Sequence, residues 1–262
     1  LVTNRSNPGI RTPITITGLP ENTVLSSLRT IKNGTATTGY VLNEQNNAYK
    51  SSNGSSWTST GSTYPIQAIF GNMPSPGIDS ILVILNNAGV STFAKTADLS
   101  NFHLLNEVKD KDFPIKDFTA VSYENPSVFS AKYLVIVGGT TQEGVSNHNA
   151  VWLIKENENV IYPLKHEVSE ELQGSYLFPY DSKLYLFIQE GTKNSLYSSK
   201  DYGVTWLKVS TAQSLPTEFT FRKSTSVLVD NENYIWFFGG TALNNTQLSD
   251  IWRGRLNKLA VK

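Results

Sequence analysis

One spacing governs what this chain can become. Short runs of branched and aromatic residues recur at positions 39–42, 81–85, 133–137, 184–188 and 234–238. Val83, Val135, Leu186 and Trp236 follow one another at steps of 52, 51 and 50 residues, and Leu42 precedes Val83 by 41. A fixed period of this length is the signature of a repeat architecture. Continuous apolar runs of four or five residues read as strands buried on both faces.

The residues around each run complete a unit. A Gly- or Asn-rich turn leads to a strand carrying Tyr49, Phe93, Trp152, Tyr197 or Trp252. A fourth segment follows a tight turn, as at 56–58, 102–105, 160–164 and 205–209, and a further strand precedes each run, as at 67–70, 119–123, 175–178 and 226–229. No segment keeps a helical period. Each unit is a four-stranded antiparallel meander, with strands A to D running outward from an axis. One such sheet cannot hide two apolar faces, but sheets stacked radially cover each other.

The expected fold is therefore all-β: a single β-propeller domain over 1–262, with blades near 19–60, 61–109, 110–167, 168–215 and 216–262. Five blades are expected, or six if the first residues start an incomplete extra one. Residues 1–18 are the expected closing strand, with 12–17 pairing near 256–261; Pro13 suits an edge.

Composition narrows the partners. The 22 basic and 22 acidic residues cancel and form no basic stripe, so nucleic acid is not an expected partner. No apolar run approaches the roughly 18 residues that span a bilayer. There is no cysteine, which removes disulfides and thiolate metal sites. Only 17% of residues are charged, and Asn, Ser, Thr, Gly and Tyr are plentiful, which favours an exported protein at the cell surface or in the periplasm. A monomer is expected.

Two motifs sharpen the fold. Gly138-Gly139 with Trp152, and Gly239-Gly240 with Trp252, resemble the kelch repeat, in which paired glycines close the second strand and a tryptophan sits on the third. The stretch Ser199-Lys200-Asp201-Tyr202-Gly203-Val204-Thr205-Trp206 matches the Asp-box of sialidase-type propellers, and 51–57 is a degenerate copy. The resemblance implies that the Asp201 carboxylate accepts from the amides of its own turn, that Gly203 takes an unusual conformation, and that Trp206 plugs the gap between blades. Propellers mixing the two motifs resemble exported lipoprotein propellers of gut Bacteroidetes, which implies a cell-envelope location and supplies no activity.

A reaction is harder to read. In sialidases the Asp-box lies opposite the active site, three arginines clamp a carboxylate, and only six arginines exist here. Five-bladed glycosidases place two or three carboxylates on the inner strands. Here Glu124, Asp181 and Asp230 fall in A–B turns, where turn formers need no catalytic explanation. Asp117 alone stands at the entry of an inner strand, and one carboxylate does not make an acid/base pair. His103, His148 and His166 are scattered and no metal motif occurs. No catalytic, metal or cofactor residue is assigned.

The remaining signal is for binding. Loops at 140–149, 189–194, 241–247 and 107–117 share the face where the channel opens, and loops on a rigid scaffold are the usual carriers of function. Asn147, His148 and Asn245 are expected around its mouth, with Glu143, Glu190 and Lys193 nearby. Neutral amides and an imidazole suit sugar hydroxyls. The expectation is a non-catalytic binding propeller whose ligand is a glycan or a protein; the alternative is a carbohydrate-active enzyme, a hydrolase or lyase.

Overall fold

In a computed structural model, the chain is described at residues 2–4, 7–12, 15–20, 25–33, 36–43, 45–75, 78–125, 131–146, 149–156, 158–169, 172, 176–190, 193–209, 218–223, 226–229, 232–242, 244 and 246–256. All regular structure there is β. A short hairpin of β1 (Val2–Asn4) and β2 (Asn7–Thr12) comes first. The first blade is β3 (Leu25–Asn33), β4 (Ala36–Asn43), β5 (Ala48–Ser51) and β6 (Thr58–Ser59). The second is β7 (Ile66–Ser75), β8 (Ile78–Asn87), β9 (Val90–Thr96) and β10 (His103–Glu107). The third is β11 (Thr119–Tyr123), β12 (Tyr133–Val137), β13 (Ala150–Lys155) and β14 (Leu164–Glu167). The fourth is β15 (Tyr176–Tyr180), β16 (Lys183–Glu190), β17 (Lys193–Ser199) and β18 (Leu207–Lys208). All four are antiparallel meanders.

The last sheet departs from this plan. Its inner edge is described as β19 (Arg222–Lys223) and β20 (Ser226–Val229), which pair in one register with β21 (Ile235–Ala242), whose other edge pairs with β22 (Gln247–Gly254). Among the described residues it has no outer strand. The expectation of five imperfect blades, or six, is thus corrected to four four-stranded meanders, with a last sheet that lacks an outer strand among the described residues. The hairpin β1–β2 stands as its own two-stranded sheet. The expected partner of 12–17 at 257–261 lies outside the described residues. What is described is Thr17, whose N–H donates to Ser55 O at 2.9 Å and whose carbonyl accepts from Trp57 N at 2.9 Å, both in the first blade.

Period-two alternation explains why each second strand is apolar throughout. Leu134 and Ile136 of β12 pack towards the second blade, with Phe70, Leu82, Ile84 and Phe93. Val135 and Val137 point the other way, to Leu184, Leu186, Ile188 and Trp206 of the fourth. Each buried side chain of this kind contributes about 1.5–3 kcal/mol. An alternating polar strand would leave one face of the stack wet.

The C–D turns lie on the face opposite the B–C loops. At 199–206, Asp201 Oδ1 accepts from Thr205 N at 2.9 Å and Oδ2 from Thr205 Oγ1 at 2.5 Å, while Ser199 Oγ accepts from Gly203 N at 2.9 Å. At 51–57, Asn53 Oδ1 accepts from Ser55 N and Ser56 N, both at 2.9 Å. A third turn of this design, unread in the sequence, spans 96–102: Asp98 Oδ1 accepts from Ser100 N at 2.8 Å and Asn101 N at 3.1 Å. The paired glycines also differ from expectation. Gly138 and Gly139 follow the end of β12, with φ of 63° and 105°. Gly239 and Gly240 instead lie inside β21, where the register shifts between Phe238 and Gly240. That strand absorbs its glycines as an irregularity rather than ending at them.

Candidate functional site

The inner strands ring a central channel. A cavity of about 470 Å³ lies between β11, β15 and β20, lined by Ala120, Val121, Phe178, Val227 and Val229, with Asp181 and Asn233 at its A–B end. Valines and Phe178 line its middle, and its polar residues, Tyr180, Asp181 and Asn233, gather at the A–B end. The mouth where inner strands begin also carries the B–C loops.

The third blade builds that mouth most firmly. Phe113, Pro114 and Ile115 are buried, and they carry the connection from β10 across Gly139. A Cβ on Gly139 would stand 2.6 Å from Pro114 Cβ and 2.9 Å from Phe118 Cβ, so only glycine lets the connection lie this close. The two segments are then bonded together: Ile115 N donates to Thr140 O at 2.9 Å, and Thr140 N donates to Lys116 O at 2.8 Å. Thr141 closes the loop behind them, donating from N to Val145 O at 2.8 Å. Asp117 emerges exposed from this clamp, two residues before β11, with φ 53°. Aspartate tolerates the left-handed region better than most residues, which suits it to this tight entry turn.

Beside it, three uncharged groups converge. The Ser91 hydroxyl lies 2.9 Å from Gln67 Oε1, at the start of the second inner strand, and 2.6 Å from Gln142 Oε1, in the 140–146 loop. One hydroxyl proton serves one of these contacts, so the other glutamine turns its NH₂ towards Ser91. Gln67, Ser91 and Gln142 therefore present both donors and acceptors across two blades. Glu218, exposed, stands four residues ahead of Arg222, in the connection that leads into the fifth inner strand. Sequence reading missed Gln67, Ser91 and Glu218. Only the fold brings Gln67, Ser91 and Gln142, so far apart in the chain, together.

The expected ligand residues fare unevenly. Asn147, His148 and Asn245 lie outside the described residues. Glu143 is exposed on the 140–146 loop. Glu190 and Lys193 pair with each other at the tip of a hairpin, because β16 and β17 run on through the expected loop at 189–194. The expected loop at 189–194 is corrected to that extent: 189–190 and 193–194 belong to the paired strands. The loop at 241–247 shortens likewise, since β21 reaches Ala242, whose N–H donates to Thr246 O at 2.8 Å. Among the described residues no three His, Asp or Glu side chains gather to hold a metal, and no helix is long and apolar enough to cross a membrane.

The acids whose titration is shifted lie elsewhere, and two of them are deeply set or tied to a buried cation. Glu156, at the end of β13, is 4% exposed; burial pushes its carboxyl up, against the opposing pull of the Ser122 hydroxyl and of Lys132, whose Nζ is 3.6 Å away. It sits at the A–B end, remote from Asp117. Arg222 is wholly buried, and its guanidinium grips Asp250 with both terminal nitrogens while Nε donates to Thr220 O at 2.8 Å. The arginine holds the Asp250 carboxyl below its usual range. Its donors are committed to the fold, so it is no carboxylate clamp for a ligand.

No curated protein matches the sequence. Solved structures do match the fold. A thermostable family-43 glycoside hydrolase shares 12% identity at a TM-score of 0.56, over 93% of this chain and 94% of that one. A GH43_1 enzyme from Xanthomonas citri complexed with xylose shares 10% at 0.56, over 94% and 95%. An endo-arabinase from Bacteroides thetaiotaomicron shares 12% at 0.52, over 94% and 98%. At such identities the likeness is one of fold. It nevertheless overturns the expectation of a non-catalytic binding propeller, because these whole-chain counterparts are enzymes of carbohydrate, the class of the alternative. The model of the DUF6242 beta propeller domain matches residues 1–262, and the chain belongs to that family.

Proposed function

We propose that the chain is a carbohydrate-active enzyme, a glycoside hydrolase or lyase, working at the mouth where the inner strands begin. The observation that carries this is Asp117: an exposed carboxylate held with φ 53° at the entry of an inner strand, by a clamp that requires Gly139. Hydrolysis of a glycosidic bond needs two carboxyl groups, one donating a proton and the other acting as base or nucleophile. Glu218, exposed in the connection that leads into the fifth inner strand, is the second group in this reading. Gln67, Ser91 and Gln142 would hold sugar hydroxyls, since amides and hydroxyls donate and accept together.

The fold shared with enzymes of xylose- and arabinose-containing glycans makes those the first substrates to try. Release of reducing ends from xylan- and arabinan-derived oligosaccharides tests the reading. Activity lost in Asp117→Asn and in Glu218→Gln, with both variants melting like the parent, supports it; activity indifferent to both removes these residues from the reaction. The neutral polar surface supports an exported location, and secretion of a tagged full-length protein would test that.

A further inference from the structure

The last sheet carries a feature that the rim does not use. Along β21 and β22, Trp236 stands opposite Arg253, and Phe237 opposite Trp252. Alternation therefore divides the side chains into two sets. Ile235, Phe237 and Trp252 pack into the cluster shared with the fourth blade. Tyr234, Trp236, Arg253 and Arg255 form the other face, turned away from that blade. On it the Arg253 guanidinium lies 4.3 Å from the centre of the Tyr234 ring and 5.4 Å from that of Trp236, while the Arg255 guanidinium lies 3.8 Å from Tyr234.

Both arginines are exposed, and neither pairs with a carboxylate among the described residues. Arg255 spends one Nη2 hydrogen on Glu232 O at 2.9 Å. Like charges that share a strand face repel. Stacking on an aromatic ring fixes a guanidinium plane yet leaves its in-plane N–H groups pointing outward. Two exposed cations without a carboxylate partner among the described residues can receive a carboxylate, which a guanidinium meets with two parallel hydrogen bonds.

We propose that Arg253 and Arg255, stacked on Tyr234, form a subsite for the carboxylate of an acidic sugar residue. The subsite rests on the carbohydrate reading for its ligand class, and not on Asp117 for its binding. It lies at the C–D end of β22, away from the inner-strand rim, so it selects or retains uronate-bearing chains rather than taking part in bond cleavage.

Calorimetric titration of the full chain with trigalacturonate, with a neutral trisaccharide and with inorganic phosphate tests this. Trigalacturonate should bind, its affinity should fall as salt rises, and Arg253→Gln with Arg255→Gln should weaken it at least tenfold while the melting temperature stays within 2 °C or so of the parent, as exposed substitutions usually allow. Affinity for the neutral trisaccharide should not respond. The double Arg→Lys variant should fall between, because lysine keeps the charge and loses the fork.

No binding of trigalacturonate by the parent, or binding unchanged in the glutamine variant, would overturn the subsite. So would a lysine variant that binds like the parent, since charge alone would then suffice, or inorganic phosphate that binds as tightly with the same arginine dependence. The two proposals fail separately. Arginine-dependent uronate binding without hydrolysis of any glycan keeps the subsite and sinks the enzyme. Hydrolysis with uronate affinity indifferent to the arginines does the reverse.

Discussion

The Tyr176 hydroxyl accepts from the backbone N–H of Arg222 at 2.7 Å and donates to its carbonyl at 2.9 Å. A side chain on the inner strand of the fourth blade thereby serves as a strand partner for the inner edge of the fifth sheet. Burial pushes the Tyr176 phenol well up, so the hydroxyl keeps its proton and can both give and receive.

Tyr176→Phe should then leave a buried amide and carbonyl unpaired. A loss of about 2 kcal/mol is expected, within the range for such groups. Urea denaturation measures it; an unchanged midpoint would mean that the two sheets do not depend on this contact.

Gly139→Ala should do more harm than its size suggests. The new methyl would meet Pro114 and Phe118, at a φ of 105° that alanine rarely adopts. Gly144, with φ 82° and no heavy atom within 4 Å of an added Cβ, is the control. A backbone penalty of about 1 kcal/mol is expected at Gly144 and clearly more at Gly139, where a clash adds to it. Activity should fall at Gly139 alone, because only there does the change push on the connection that holds Asp117.

Acid and base sides of the stability profile should have different owners. The buried Glu156 carboxyl binds its proton more tightly in the fold than its ordinary value of 4.5. Its contribution is present below that pH and is lost as pH rises through the raised value. Asp201 is the opposite case: burial opposes its charge, but the Thr205 and Ser199 bonds outweigh burial and hold it below 3.8, so its contribution is lost as pH falls beneath that. Melting temperatures from pH 3 to 8 should show Glu156→Gln gaining on the parent as pH rises above about 4.5. A constant difference across that range would contradict the assignment.

Asp98→Ala should behave like Asp201→Ala. Each carboxylate accepts from two or more groups of its own turn, and each variant should lose about 1–2 kcal/mol. Since both turns lie opposite the inner-strand rim, neither should alter turnover per folded molecule. A loss of turnover without a loss of stability would place a turn in the site.

The strands that are buried on both faces were legible because nothing else suits an unbroken apolar run repeated every fifty residues or so. The turn at 96–102 was not, because Leu99 takes the left-handed position with φ 58° where glycine would signal it, and Phe102 stands for tryptophan. The kelch-like pair Gly239-Gly240 misled, since pairing across β21 outweighed the local signal. Asp117 was visible as a lone acid at a strand entry. Its clamp on Gly139, and the meeting of Gln67, Ser91 and Gln142 nearby, depend on contacts between segments far apart in the chain, which no local pattern encodes.

Reducing-end release by parent and by Asp117→Asn, across neutral and acidic oligosaccharides, is the most direct test of the carbohydrate-enzyme reading. The expected result is turnover of at least one glycan by the parent, falling about 10²- to 10⁴-fold in the variant, as removal of a catalytic acid or base does, with the melting temperature unchanged. A folded parent that cleaves none of the panel, or a variant that cleaves as fast as the parent, would contradict it.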